Sequence, residues 1–155
     1  MSWSELTFGK HKGKSLPQVI FTDPDWFFWA VEEGIFKGKG RLEAEAADLK
    51  KKSRFIKIPS KKDERLVADY FVHPPTGKFV RMDIVAADTP RHEGASPTIR
   101  KEVIDLSIPR QIAPYDKLGC GNLISNAKHA LFGSSKRMTR QRCEAFFDDL
   151  SNFAQ

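Results

Sequence analysis

Residues 8 to 14 read FGKHKGK, in which Lys10, His11 and Lys12 stand between Gly9 and Gly13 and Lys14 follows at once. Three cations and an imidazole in one turn suit the capture of an anion. Glycines admit the positive φ values of a tight reversal, and such a turn can aim successive backbone N–H groups at one point. Phosphate would sit in that concavity, with the lysines adding longer-range attraction and His11 able to donate or accept. The competing reading is a hairpin tip that lysines keep soluble.

A second basic cluster is SSKRMTRQR, where Lys136, Arg137, Arg140 and Arg142 gather at the start of the last predicted helix. Positive side chains there oppose the helix dipole, and helix N-termini bind anions, so this is a candidate phosphate clamp. Glu144, Asp148 and Asp149 are the local acids able to neutralise it. Two helices joined by a basic connection loosely suggest helix-turn-helix docking, although the linker is longer than the usual turn of that motif.

A third constellation is acidic. If the even-numbered positions of the predicted strands face the core, Asp69, Asp83 and Asp105 share the opposite face, and clustered carboxylates are what Mg²⁺ needs for phosphodiester cleavage. Acids on that face are ordinarily solvated or salt-bridged, and Arg81 stands among them. No Walker A loop, Rossmann fingerprint, nucleophile elbow or zinc-ligand spacing is present, and His11, His73, His92 and His129 are scattered. Cys120 and Cys143 lack CxxC spacing and are expected as small buried residues. No metal or cofactor is expected.

The elements that must position these groups follow from pattern. Leu6, Thr7 and Phe8 read as a short strand entering the turn. Asp23 as N-cap, Pro24 at the first helical position and Gly34 as a stop frame a helix, with Trp26, Trp29 and Ala30 on one face, extended by Phe27 and Val31. That aromatic stripe reads as core, with base stacking as the alternative for Trp26 and Trp29. IFKGKGR is a glycine-lysine connector, and LEAEAADLKKK is a helix with Leu42, Ala46 and Leu49 inward and Lys50, Lys51 and Lys52 as solvated end charges.

From Phe55 the period changes to two. RLVADYFVH, PPTGK and FVRMDIVAAD predict an antiparallel hairpin, with inward positions at Val80, Met82, Ile84 and Ala86. EVIDLSI predicts a third strand, with TPRHEGASPTIRK as a surface loop between them. NLISNAKHALFG and TRQRCEAFFDDLSNF predict two helices, ending at Gly133 and starting at Thr139. The expected architecture is α+β: a small N-terminal strand-turn-helix module in residues 1–54, then an antiparallel sheet and a C-terminal helical hairpin in residues 55–155, all in one compact unit.

The chain has 155 residues and a formal net charge of +6. Residues 1–62 hold 13 Lys/Arg against 8 Asp/Glu, whereas residues 63–155 hold 13 against 12, so the surplus sits with the lysine turn. A basic balance favours polyanionic partners. The 40% apolar share, with 12 phenylalanines, argues for a folded core. No stretch approaches a membrane span and the N-terminus lacks a signal-peptide core, so a soluble cytoplasmic protein is expected.

LTFGKHKGKSL and the aromatic helix after it resemble a known motif. It is that of the C-terminal domain attached to exodeoxyribonuclease X-type exonucleases and found in small phage and bacterial proteins. There a phenylalanine-glycine-lysine start and a second basic glycine turn precede a short helix of the form D-Y-L-x-W-L. Phe8, Gly9, Lys10, Lys12, Gly13 and Lys14 match the turn, and Asp25 to Ala30 match the helix, with Trp26 in place of the usual tyrosine. The resemblance covers about residues 6–36; no exonuclease domain is expected ahead of Phe8. It implies an accessory module associated with nucleic acid, and no catalysis.

The expected function is a non-enzymatic nucleic-acid-binding or nucleic-acid-processing accessory protein, with DNA favoured over RNA. Its contacts would be Lys10, His11, Lys12 and Lys14, helped by Lys136, Arg137, Arg140 and Arg142. The alternatives are a phage or mobile-element adaptor that binds a host protein and, more remotely, a Mg²⁺-dependent nuclease.

Overall fold

The computed structural model describes residues 2–60, 63–91, 94, 97–113, 116–133 and 137–154. The fold is α+β. Its first helix, α1 (Leu16–Thr22), has no counterpart in the sequence reading. Pro17 sits in its first turn and Gln18 Oε1 accepts from the Ser15 N–H, while Leu16, Val19, Ile20 and Phe21 are buried. Seven residues are too few to show a helical period clearly.

Asp23 then caps α2 (Pro24–Glu32) through the Trp26 N–H, and α3 (Arg41–Lys52) buries Leu42, Ala46 and Leu49 as their spacing predicts. Buried Glu45 was not foreseen. It accepts from the N–H and hydroxyl of Ser4 and pairs with Arg41, pinning the N-terminal segment to α3. Lys52 is no solvated end charge either: it pairs with Asp48 and donates to the Phe147 carbonyl.

The hairpin forms as expected, from β2 (Leu66–His73) and β3 (Lys78–Ala86), after a short β1 (Ile56–Lys57). A bulge changes its inward face. Register slips between Phe71 and Val72, so Phe79 is buried where Val80 was expected, and Val80 turns outward. The third strand of this sheet is β4 (Thr98–Lys101), drawn from the segment read as loop, and the strand order is β3-β2-β4. Of the predicted EVIDLSI strand only β5 (Val103–Ile104) forms, and it pairs with β1 instead. Ile108 begins α4 (Ile108–Ile112), because Pro109 at a helix start favours a turn over a ladder.

Asp116 caps α5 (Lys117–Phe132), which starts a turn and a half earlier than predicted, and Thr139 caps α6 (Arg140–Asp148). One apolar cluster runs from Trp3 to Phe153. Phe21 of α1 packs its ring against Phe132, Phe146 and Phe147 at 5.5–5.6 Å, so the N-terminal turn stands on the C-terminal helices. No described helix is long and apolar enough to cross a membrane.

Candidate nucleic-acid interface

The strand expected at Leu6–Phe8 reduces to a small ladder that closes the lysine turn. Leu6 N–H donates to the Lys14 carbonyl at 2.9 Å, Gly13 N–H to the Leu6 carbonyl at 2.8 Å, and Glu5 bridges Ser15 at the base. Within the turn Lys12 N–H donates to Gly9 and Lys14 N–H to His11, while Gly9 and Gly13 take φ values of 75° and 89°. The amides of residues 12 to 14 are therefore committed, and the expected concavity of free N–H groups does not form from them. Side chains add to what the turn offers an anion.

Those side chains divide into two kinds. Lys10 Nζ lies 2.8 Å and His11 Nε2 3.0 Å from the same Asp23 oxygen. An ionised carboxylate only accepts, so His11 donates through Nε2. Its ring is 8% exposed and meets Trp26 edge-on at 5.1 Å, which makes it a prop beneath the turn. Burial pushes the Asp23 carboxyl up, but hydrogen bonds from Lys10, His11 and the Trp26 N–H outweigh it and hold the group below its usual range. Lys12 and Lys14 are exposed, with no carboxylate at ion-pairing distance among the described residues.

The connector after α2 makes a second turn of the same composition beside the first. Phe36 packs edge-on to Trp26 at 6.2 Å, and Lys39 Nζ lies 4.8 Å above the Phe8 ring. Gly38, with φ 74°, donates its N–H to Glu43 at 3.1 Å. Lys37 and Lys39 are exposed and, among the described residues, have no carboxylate partner. The sequence-based candidates did not include these two lysines. The signal was present, since FKGKG repeats the phenylalanine, glycine and lysine content of FGKHKGK.

Trp26 stands between the two turns, half-buried, and Trp29 lies beyond it at 6.4 Å with 38% of its surface exposed. The aromatic stripe of α2 is thus split. Phe27, Phe28 and Ala30 enter the core, and the tryptophan edge faces out.

The chain matches no family model, no curated protein and no solved structure.

The arginine cluster has a different character. Lys136 lies outside the described residues. Arg140 is held by Glu144 at 2.7 Å and by Glu5 at 2.5 Å, which ties α6 to the base of the lysine turn. Arg142 donates to the Arg137 carbonyl and, with Lys57 and Asp149, lines an open groove of about 700 Å³. Asp148 accepts the Trp3 indole N–H, Asp149 bonds Ser151, and Glu5 and Glu144 neutralise Arg140.

The three aspartates do not converge. Asp69 is buried and takes a two-pronged bond from Arg100 across the sheet at 2.7 and 3.0 Å. Asp83, its cross-strand neighbour, pairs with Arg81, whose guanidinium also covers Phe71 at 4.0 Å. Asp105 lies off the sheet, fully buried, accepting from Lys101, Gln111 and Ser107. Among the described residues no group of three or more His, Cys, Asp and Glu could hold a metal. Both cysteines are buried; burial first, then neighbouring acids, pushes the Cys120 thiol up to about 12, well outside nucleophile range.

Proposed function

We propose that the chain is a non-enzymatic nucleic-acid-binding or nucleic-acid-processing accessory protein that meets backbone phosphates through two adjacent glycine-lysine turns. The observation that carries this reading is the set Lys12, Lys14, Lys37 and Lys39, exposed on neighbouring turns without carboxylate partners among the described residues. Unneutralised lysines gathered on one surface attract a polyanion and release its counterions on contact. Lys10 contributes more weakly because Asp23 already holds it. Arg137 and Arg142 form a separate basic patch at the start of α6, where Arg140 is neutralised in place.

Phosphate contacts carry no sequence information, so binding through these lysines is general in sequence. The likeness of residues 6–36 to the segment attached to exodeoxyribonuclease X-type enzymes supports DNA as the polymer.

Fluorescence anisotropy of labelled DNA and RNA across a salt series tests this. The log of the affinity should fall linearly with log salt, by about 0.7 per phosphate contacted on a single strand and about 0.9 on a duplex. Absence of binding at low salt would overturn the reading in favour of an adaptor that meets an acidic protein surface.

A further inference from the structure

We infer that the ligand is a single strand, held by stacking of its bases on the Trp29 indole; this rests on the nucleic-acid reading above. The fold buries most of its large aromatic residues, Trp3 and nine phenylalanines among them, yet leaves Trp29 on α2 38% exposed and Phe55 beyond α3 41% exposed, and of these two it is Trp29 that packs against a ring touching the lysine turns. That indole is backed by Trp26, which is fixed in turn by the edge of His11, by Phe36 and by Gly9, whose Cβ position would lie 3.7 Å from the Trp26 ring. The two indoles form a packed pair. It also adjoins both lysine turns, since Gly9 and His11 belong to one and Phe36 to the other.

An exposed ring backed by Trp26, which itself touches both lysine turns, matches the chemistry of a nucleic-acid strand, which presents flat apolar bases along an anionic backbone. A duplex keeps its bases stacked inside and cannot offer them to Trp29, so its binding would use the lysines alone. The acids nearby neutralise this surface only in part. Asp25 is taken by Arg110 at 2.7 Å and Asp23 by Lys10 and His11, whereas Glu43 accepts the Gly38 amide and keeps its charge beside the second turn. Glu33 at the end of α2, four residues after Trp29, is exposed as well.

The experiment compares Trp29→Ala and Trp29→Phe with the unchanged chain, by anisotropy, on labelled oligo(dT), oligo(U) and a mixed-sequence DNA duplex at one low salt concentration. Trp29→Ala should weaken single-strand binding about tenfold or more, with Trp29→Phe recovering part of the loss and duplex binding unchanged. Circular dichroism and thermal melting control for folding, and quenching of tryptophan fluorescence by oligo(dT) should diminish in Trp29→Ala. Equal effects on strand and duplex, or none on either, would overturn the stacking inference while salt-dependent binding upheld the broader reading. Failure of all three probes to bind the unchanged chain would overturn both.

Discussion

The two basic regions of this protein carry the same sign of charge and differ in how much of it is answered internally. At α6, Glu144 and Glu5 together hold Arg140, the central arginine of the cluster, while Arg142 donates to the Arg137 carbonyl and keeps its charge. At the glycine-lysine turns, Lys10 is the lysine that Asp23 holds, together with His11, while Lys12, Lys14, Lys37 and Lys39 stand free of carboxylates among the described residues. Both regions are dense in Lys and Arg along the sequence. Partner geometry separates them, because an arginine that already holds two acids gains little from a phosphate, whereas an unpaired lysine gains the full release of counterions.

Charge reversal sharpens that contrast most. Glutamates at Lys12, Lys14, Lys37 and Lys39 should lower affinity for oligo(dT) by on the order of 1,000-fold at low salt, with little change in thermal stability, because all four are exposed. Near-normal affinity in that variant would return the arginine cluster to the centre of the account.

Asp23→Ala tests whether the lysine turn depends on its anchor. It removes the α2 cap and the shared partner of Lys10 and His11, and should cost about 1 kcal/mol or somewhat more. The sign with pH follows from the depressed carboxyl: its stabilisation is complete above the unfolded value of about 3.9 and is lost as pH falls through the lower folded value. Acid melts of the unchanged chain should therefore steepen below about pH 4, and those of Asp23→Asn should lose that part of the slope. Superimposable acid limbs would show that Asp23 does not anchor the turn.

The smallest effect is the most discriminating. Glu5→Gln combined with Glu144→Gln releases Arg140 and should raise single-strand affinity by about two- to threefold, making the arginine cluster resemble the lysine turns. Unchanged affinity would place Arg140 out of reach of the strand.

Local signals in the sequence carried much of this architecture. Asp23-Pro24 and Thr139 announce helix starts, and the period-two run around PPTGK announces the hairpin. What stayed hidden depends on tertiary partners. The bulge that turns Val80 outward shows itself only in the pairing of β2 with β3, and β4 is a strand because Asp69 and Arg100 meet across the sheet. For the site, composition pointed to the lysine turn, but helical spacing could not say which side of α2 lies against solvent. That side is decided by Phe27 and Phe28 entering the core and by the second turn closing on Trp26.

The most direct test is a salt titration of oligo(dT) binding by three proteins: the unchanged chain, the alanine variant of Lys12, Lys14, Lys37 and Lys39, and the alanine variant of Arg137, Arg140 and Arg142. The account predicts that the lysine variant loses up to about 3 units from the slope of log affinity against log salt, and the arginine variant about 1 unit or less. Equal slopes in all three, or a larger loss in the arginine variant, would contradict it.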